Sequence, residues 1–507
     1  MNLAAIIDGH PADAVALVSA GAETTYGELR RDVAGFAGGL QELGLQSGDR
    51  LALLCANSRE FVVAYLGGLS AGLVVVPLNP QSPAPALAAE LSTVGARAVI
   101  VGPSAQMAFD RVDLASLGAL EYVISSHQAV EGAAHRAFEG FARRAFDGLV
   151  SAPPTPPISR QADDLAVLLF TSGTAGPPKA VMLTHGNLAS NLEQVGSMPG
   201  AVSRTADVVL GVLPFFHIFG LNMVLGSALR AGCRVVLMEG FDPAGALAIV
   251  AQRGVTILAG PPAMWGAFAA LGAVPAESFA TVRLAVSGAS ALPGVVADQV
   301  RARYGIEIAQ GYGLTETAPT VTTSVGALRA GSIGRAVPGV SVRLVDCDGD
   351  DVEPGDAGEI WVHGPNVFAG YWKDPEATAA ALTPEGWLRT GDIAIADDDG
   401  YLYLIDRIKD LIIVSGFNVS PAEVEDVLRR HPSVAAAAVV GVAHPQAGET
   451  VKAFVVVATG RTAEERELIE FCQQHLVRYK CPSSVSFVAQ LPEGVVGKIV
   501  RRDLRGS

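Results

Sequence analysis

Thr171, Ser172, Thr174 and Lys179 crowd into one short stretch, LLFTSGTAGPPKA (168–180), with Gly173, Ala175 and Gly176 between them. An apolar run ends abruptly where they begin. Hydroxyls, unblocked backbone N–H groups and one lysine after a buried strand suit an anion, because together they can wrap and neutralise phosphate oxygens. The stretch fails the Walker A pattern, since no glycine precedes Lys179 and Ala180 follows it. It reads as a phosphate grip, but not that of a P-loop NTPase.

A second stretch, QGYGLTETAP, sets Gln310, Gly311, Tyr312, Gly313, Thr315 and Glu316 in a row. Glu316 stands where a dinucleotide fingerprint needs its third glycine. A base can stack on Tyr312, and Thr315 can bond a phosphate oxygen. Glu316 can hold Mg²⁺, which takes one or two protein carboxylates beside phosphates and waters. Asp392 in LRTGDIA and Arg407 in LIDRIKDLIIVSGFNVSP are candidates for ribose hydroxyls. Asp406, Lys409 and Asp410 form a charged knot. Near the C-terminus, LPEGVVGKIVRRDLR places Lys498 after a glycine, with Arg501, Arg502 and Arg505 beyond. SGASA (287–291) approaches a nucleophile elbow, but Leu292 replaces its last glycine, which argues against a hydrolase serine at Ser290. Taken singly, these stretches have plain structural readings: a turn, a solvated loop, a basic tail.

The chain that must position these residues has 507 of them, too many for one core, so two or more domains are expected. Half the residues are hydrophobic and 17% are charged, which indicates a globular protein. A net charge of −15 argues against non-specific nucleic-acid binding and requires a local basic site for any polyanion. The five cysteines are scattered without a C-x-x-C, which suits neither a disulfide framework nor zinc and fits a reducing compartment. No signal-peptide pattern is seen, and a cytoplasmic location is expected. The longest apolar stretch, from Phe61, breaks into a helix to Ser70, a turn at Gly72 and a strand at 73–77. It therefore predicts a buried α/β unit and not a membrane span. LGGLS (66–70) resembles a phosphopantetheine site, but Ser70 belongs to that apolar unit.

Strand-length apolar runs (RLALLC, RAVIVG, LAVLLF, VVLGVLP, CRVVLM, VTILAG, VRLAVSG) alternate with helical patterns such as HGNLASNLEQV, DPAGALAIVAQR and LPGVVADQVRARYG. Such alternation predicts helix-covered, mostly parallel sheets. SAPPTPPISRQADD (151–164) reads as a surface connector. From about residue 331 short strands with turn signals predict an antiparallel β region. A final unit of its own helices and strands follows. The expected organisation is α/β: a large N-terminal domain over 1–408 with a β-barrel-like subdomain, and a small α+β domain over 409–507.

In order, the motifs are T-S-G-T-x-G-x-P-K, G-Y-G-L-T-E-T, R-T-G-D, D-R-x-K-D-x-I-x-x-S-G-F-N-V-x-P-x-E-V-E and P-x-x-x-x-G-K. GLVVVPLNP, SGASALP and GEIWVHGPNVFAGYWKDPEAT fit the same order. The set, over nearly the whole chain, resembles the adenylate-forming superfamily of acyl-CoA synthetases, luciferases and peptide-synthetase adenylation domains. The resemblance implies that a carboxylate attacks the α-phosphate of ATP, pyrophosphate leaves, and a thiol then displaces AMP from the acyl-adenylate. It implies catalytic roles for Lys498, Thr174, Glu316 and His217. ATP and AMP would be held by residues 171–176 and Lys179, by Gly288, Ala289 and Ser290 beside adenine, by Gln310, Gly311, Tyr312, Gly313 and Thr315, and by Asp392, Arg407 and Lys498. Lys409 would be the hinge of a mobile C-terminal lid. Ser415, Gly416 and Phe417 would line the coenzyme A tunnel.

LPFFHIFGLNMVLGSAL supplies the acid pocket in this comparison, with His217 beside the carboxylate and Ile218, Phe219, Leu221, Met223, Val224 and Gly313 around the acyl group. No aspartate is present there to pair an amino group, which points to an apolar carboxylic acid and not to an amino acid. Ile413 stands where luciferase-like and plant coumarate-type ligases carry a second lysine, which leans toward the bacterial fatty acyl ligases. Ala180 replaces the usual glycine after the loop lysine. The expected reaction uses ATP and Mg²⁺ and yields acyl-CoA from free coenzyme A. The alternatives are an acyl-AMP ligase that loads a carrier protein, and a non-catalytic acyl or nucleotide sensor, against which the retained Lys179, Glu316, Arg407 and Lys498 speak.

Overall fold

The computed structural model describes all residues except 1, 20, 127–141, 172–177, 201–202, 273, 408–411, 415–416, 445–447, 477, 493–498 and 505–507. For Ala276, Asp406, Arg407, Ile413, Phe417, Asn418, Gly448 and Arg502 it describes the backbone alone.

Two large sheets carry the N-terminal part. One has seven strands, ordered Ala142–Ala145, Tyr122–Ser125, Ala98–Val101, Arg50–Leu54, Val74–Pro77, Leu165–Thr171 and Lys179–Thr184. The other has nine, ordered Arg335–Ala336, Thr320–Thr323, Ile308–Gly313, Leu284–Ser287, Ile257–Gly260, Val208–Gly211, Arg234–Leu237, Val15–Ser19 and Ala22–Thr25. The inner strands run parallel, and antiparallel pairs close both ends of the nine-stranded sheet and the Lys179–Thr184 end of the seven-stranded one, whose other end pairs parallel. Every strand-length run named above from the sequence falls on one of these strands. The central core joins both sheets through residues such as Phe36, Phe61, Leu169, Phe215 and Leu221.

The apolar stretch from Phe61 shows how local signals suffice. Ser58 accepts from the Phe61 N–H and caps the helix Arg59–Ser70. Gly72 takes a left-handed turn at φ +76°, and Val74–Pro77 follows as a strand buried on both faces. Ser70 is buried, as expected for a core helix and not for a carrier serine. The connector after residue 150 lies closer to the body than its composition predicts. Its backbone docks on the helix Tyr26–Glu42, where a Cβ on Gly35 would meet Val150 O at 2.1 Å and one on Gly38 would meet Pro153 O at 2.0 Å. Proline-rich chain is held here because glycines let two backbones touch.

The antiparallel β region is a curled four-stranded sheet of Ser341–Val345, Ala357–His363, Leu388–Ala396 and Leu402–Arg407. A bridge between Gly334 and Leu402 ties it to the larger sheet. Beyond it, five strands and the helices Pro421–Arg429 and Glu465–His475 enclose cores of their own around Val424, Leu428, Val439, Val455 and Leu468. Among the described residues no helix is long and apolar enough to cross a membrane.

Candidate active site

The strand Leu165–Thr171 pairs antiparallel with Lys179–Thr184 and sets Thr171 opposite Lys179. The loop between them carries Ser172, Gly173, Thr174, Ala175 and Gly176, which lie outside the described residues. Lys179 points back over an aromatic ring: its Nζ stands 5.1 Å from the centroid of Tyr371. The segment around Tyr371 adds to the Lys179 strand through Met182 N–H to Gly370 O at 2.9 Å and Trp372 N–H to Ala180 O at 2.8 Å. Ala180 is buried within this pairing.

The strand Ile308–Gly313 delivers Gln310 to Gly313, and a short 3₁₀ turn, Thr315–Thr317, presents Glu316. Gly313 is obligatory at its place, because a Cβ there would meet Pro319 O at 1.9 Å. Tyr371 donates its hydroxyl to Glu316 Oε1 at 2.8 Å. Burial, reinforced by the Glu316 charge, raises the Tyr371 phenol well above its ordinary range, so it stays a donor. Tyr312 donates to Asp392 Oδ2 at 2.7 Å, and Asp392 is almost wholly buried. Asp392 also faces Arg407 across the ladder of the curled sheet, with only the Arg407 backbone described. Tyr312, Thr315, Glu316, Asp392 and Lys179 are therefore brought together from three separate stretches, with Tyr371 from a fourth joining Glu316 to Lys179.

Gly288 is buried, while Ala289 and Ser290 are exposed, and Ala289 adopts φ +71°. Gln310 differs from a plain nucleotide contact. Its Oε1 accepts from Leu292 N–H at 3.0 Å and its Nε2 donates to Ser332 O at 3.3 Å, so the amide fastens the loop that carries residues 288–290. A Cβ on Gly288 would sit 3.1 Å from the Phe219 ring and 3.5 Å from Gly311 O, so that ring occupies the space the glycine leaves.

The segment from His217 is not an ordinary α-helix. Phe219–Gly226 is a π-helix that continues into the α-helical turn Ser227–Arg230. The wider turn, a form frequent at functional sites, keeps Phe219 and Met223 partly exposed, whereas Ile218, Leu221 and Val224 enter the core. His217 Nδ1 accepts from Phe219 N–H at 3.2 Å, which places the proton of the neutral ring on Nε2.

Buried asparagines, which carry no motif, hold these loops. Asn57 donates to Gly211 O and Leu213 O and accepts from Phe215 N–H, shaping the approach to His217. Asn222, inside the π-helix, donates to Ala318 O at 2.7 Å. Asn191 and Asn366 both bond Thr320, and Asn366 also bonds Thr317. Asn222 stands within an apolar run, whereas Asn57 and Asn191 sit beside polar or charged residues, and in no case does the local sequence report a partner far along the chain.

Lys409, Ser415, Gly416 and Lys498 lie outside the described residues, and Phe417 is described by its backbone alone. No group of three or more His, Cys, Asp or Glu side chains able to hold a metal occurs among the described residues. A single oriented carboxylate, Glu316, nonetheless fits Mg²⁺, which keeps waters and substrate phosphates as most of its ligands.

Comparisons with known proteins converge on one group. The family model described as AMP-binding enzyme matches residues 3–372, and that for the AMP-binding enzyme C-terminal domain matches 423–498. A long-chain-fatty-acid–CoA ligase of Salmonella typhimurium strain LT2 is 36% identical over 97% of this chain and 92% of its own. A feruloyl-CoA synthase of an Amycolatopsis species is 38% identical over 97% of this chain and 95% of its own. The crystal structure of ATP-bound MatB from Rhodopseudomonas palustris superposes with a TM-score of 0.90 at 32% identity, covering 100% of this chain and 98% of the other.

Proposed function

Because the chain belongs to the AMP-binding enzyme family and is an AMP-forming acid–thiol ligase, we propose that it activates an apolar carboxylic acid, foremost a fatty acid, and delivers it to free coenzyme A. The acid's carboxylate oxygen attacks the α-phosphorus of ATP, and the bond to the pyrophosphate oxygen breaks. The thiol of coenzyme A then adds to the acyl carbonyl and AMP leaves, its phosphate retaining the oxygen.

The first step presses one anion against another, so cations must stand where charge gathers and water must be kept out. The residues of 171–176 and Lys179 grip the outer phosphates, and Glu316 orients Mg²⁺, which when bound neutralises phosphate charge. Tyr312 and the 288–290 loop flank the base, while Asp392 and Arg407 take the ribose. Lys498 approaches on the C-terminal unit, which turns about Lys409. It then withdraws so that Ser415, Gly416 and Phe417 form the wall of the thiol's path. Domain limits of 1–408 and 409–507 go with this reading. Free coenzyme A is favoured over a carrier protein because both curated relatives named above are described as acting with CoA.

The observation that carries the acid class is the wall built by the His217 segment. Phe219 and Met223 keep surface on its open side, and residues 211–226 contain no charged side chain. A planar aromatic acid is the second reading, favoured by the Phe219 ring packed beside Gly288 and by the feruloyl-CoA synthase relative.

The test is to incubate the protein with ATP, Mg²⁺, coenzyme A and acids from acetate to long-chain and aromatic, scoring pyrophosphate, AMP and thioester. Apolar acids are expected to give all three products. Lys498→Ala is expected to lower adenylation on the order of 10²–10³-fold with ATP binding largely kept. Undiminished turnover in that variant, or no pyrophosphate from any acid, would overturn the reading.

A further inference from the structure

Tyr371 joins two groups that the chain keeps far apart. Its hydroxyl reaches Glu316 Oε1 at 2.8 Å, and Lys179 Nζ rests 5.1 Å from the centre of its ring. The residue is fixed from several sides. Its N–H donates to Thr378 Oγ1 at 2.9 Å, and its two neighbours pair with the Lys179 strand. Phe368 packs edge-on against the ring at 4.9 Å, while Phe368 N–H donates to the backbone oxygen of Glu316 at 2.9 Å. One short segment thus grips both the strand of the lysine and the turn of the glutamate.

We propose that Tyr371 is a positioning residue for the metal and phosphate end of the site: its O–H aims the Glu316 carboxylate at Mg²⁺, and its ring seats the Lys179 ammonium beside it. The inference rests on the adenylating reading given above. Mg²⁺ demands near-octahedral geometry, so a glutamate that is the chief protein ligand must present its oxygen in one orientation. Hydrogen-bond partners of metal-binding carboxylates supply that orientation, and their loss typically lowers metal affinity about 10–100-fold. A ring face, for its part, attracts an ammonium without cancelling its charge. The lysine therefore stays available to a phosphate while being held in place.

The experiment is ATP binding by calorimetry on the full chain, with no carboxylic acid present, with and without Mg²⁺. The wild type is expected to gain affinity when Mg²⁺ is added. Tyr371→Phe keeps the ring and loses the donor. It is expected to shrink that gain about ten-fold or more while leaving Mg²⁺-free affinity unchanged, a split that general loosening of the fold would not produce. Tyr371→Leu removes the ring as well and is expected to weaken Mg²⁺-free binding too. Glu316→Gln separates the two levels of the argument. If it abolishes the gain and Tyr371→Phe does not, the role of Tyr371 is refuted and the adenylating reading stands. If Glu316→Gln keeps the gain, the metal assignment fails and this inference falls with it. If Tyr371→Leu binds Mg²⁺-free ATP as the wild type does, the ring does not seat the lysine.

Discussion

Arg501 grips Glu425 through two hydrogen bonds from one guanidinium nitrogen, at 2.9 and 3.0 Å, and Glu425 is buried among the helix and strands of the C-terminal unit. The same carboxylate accepts the Val439 N–H at 2.9 Å. Burial pushes the Glu425 carboxyl up, against the downward pull of Arg501 and Arg429. Val500 N–H to Pro492 O at 2.8 Å closes the chain on either side of 493–498, so the pair anchors the polypeptide immediately after Lys498. As a sequence, this arginine reads as part of a basic tail.

Removing one partner of a buried pair strands the other charge, at a cost of about 3–5 kcal/mol. Arg501→Ala is accordingly expected to lower stability by about 3 kcal/mol in denaturant unfolding of the full chain. Adding Glu425→Gln is expected to restore much of that loss, since the amide oxygen can still accept from Val439. Equal stability of Arg501→Ala and wild type would show the pair to be incidental.

Phe219 fills the space beside Gly288, and this contact is expected to set which acids fit. Phe219→Ala should shift the ratio of kcat/KM between a bulky and a small acid toward the bulky one by about ten-fold or more, with the KM for ATP little changed. Gly288→Ala adds a methyl 3.1 Å from that ring and should act in the opposite direction. An unaltered ratio in both variants would remove Phe219 from the pocket wall.

His185 predicts a stability change with pH. Its ring is buried, Leu3 N–H donates to Nδ1 at 3.1 Å, and burial aided by Arg160 holds its pKa down to about 4 from 6.5. Above the unfolded value both states are neutral and nothing is lost. As pH falls from 6.5 toward 4 the unfolded chain takes a proton that the folded chain refuses, so stability drops by about 2–3 kcal/mol. His185→Asn retains an acceptor for Leu3 and is expected to abolish this part of the dependence, measured by urea unfolding at pH 7.5 and about pH 4.5.

What was legible in the sequence followed from short-range physics. The buried unit from Phe61 to Pro77 declared itself through an apolar run broken by one turn glycine, and the structure added the Ser58 cap. The parallel strands did so through apolar runs between amphipathic helices. Lys179, Tyr312, Glu316 and Asp392 stood out because their residue types and ordered motifs allow phosphate and metal chemistry. By contrast, the connector after residue 150 was read from composition alone, which cannot report that Gly35 and Gly38 let it dock.

The sequence by itself determined the elements, the ordered motifs and hence the family, because each rests on neighbours within a turn, a strand or a loop. Only the tertiary structure decided who touches whom: Tyr371 bridging Lys179 and Glu316, Tyr312 bonding Asp392, Gln310 fastening Leu292, and a π-helix behind His217. Such contacts join residues tens to hundreds of positions apart. They depend on backbone paths that bring single side chains within 3 Å or so of a partner, and a lone tyrosine or asparagine has no periodicity to announce its partner.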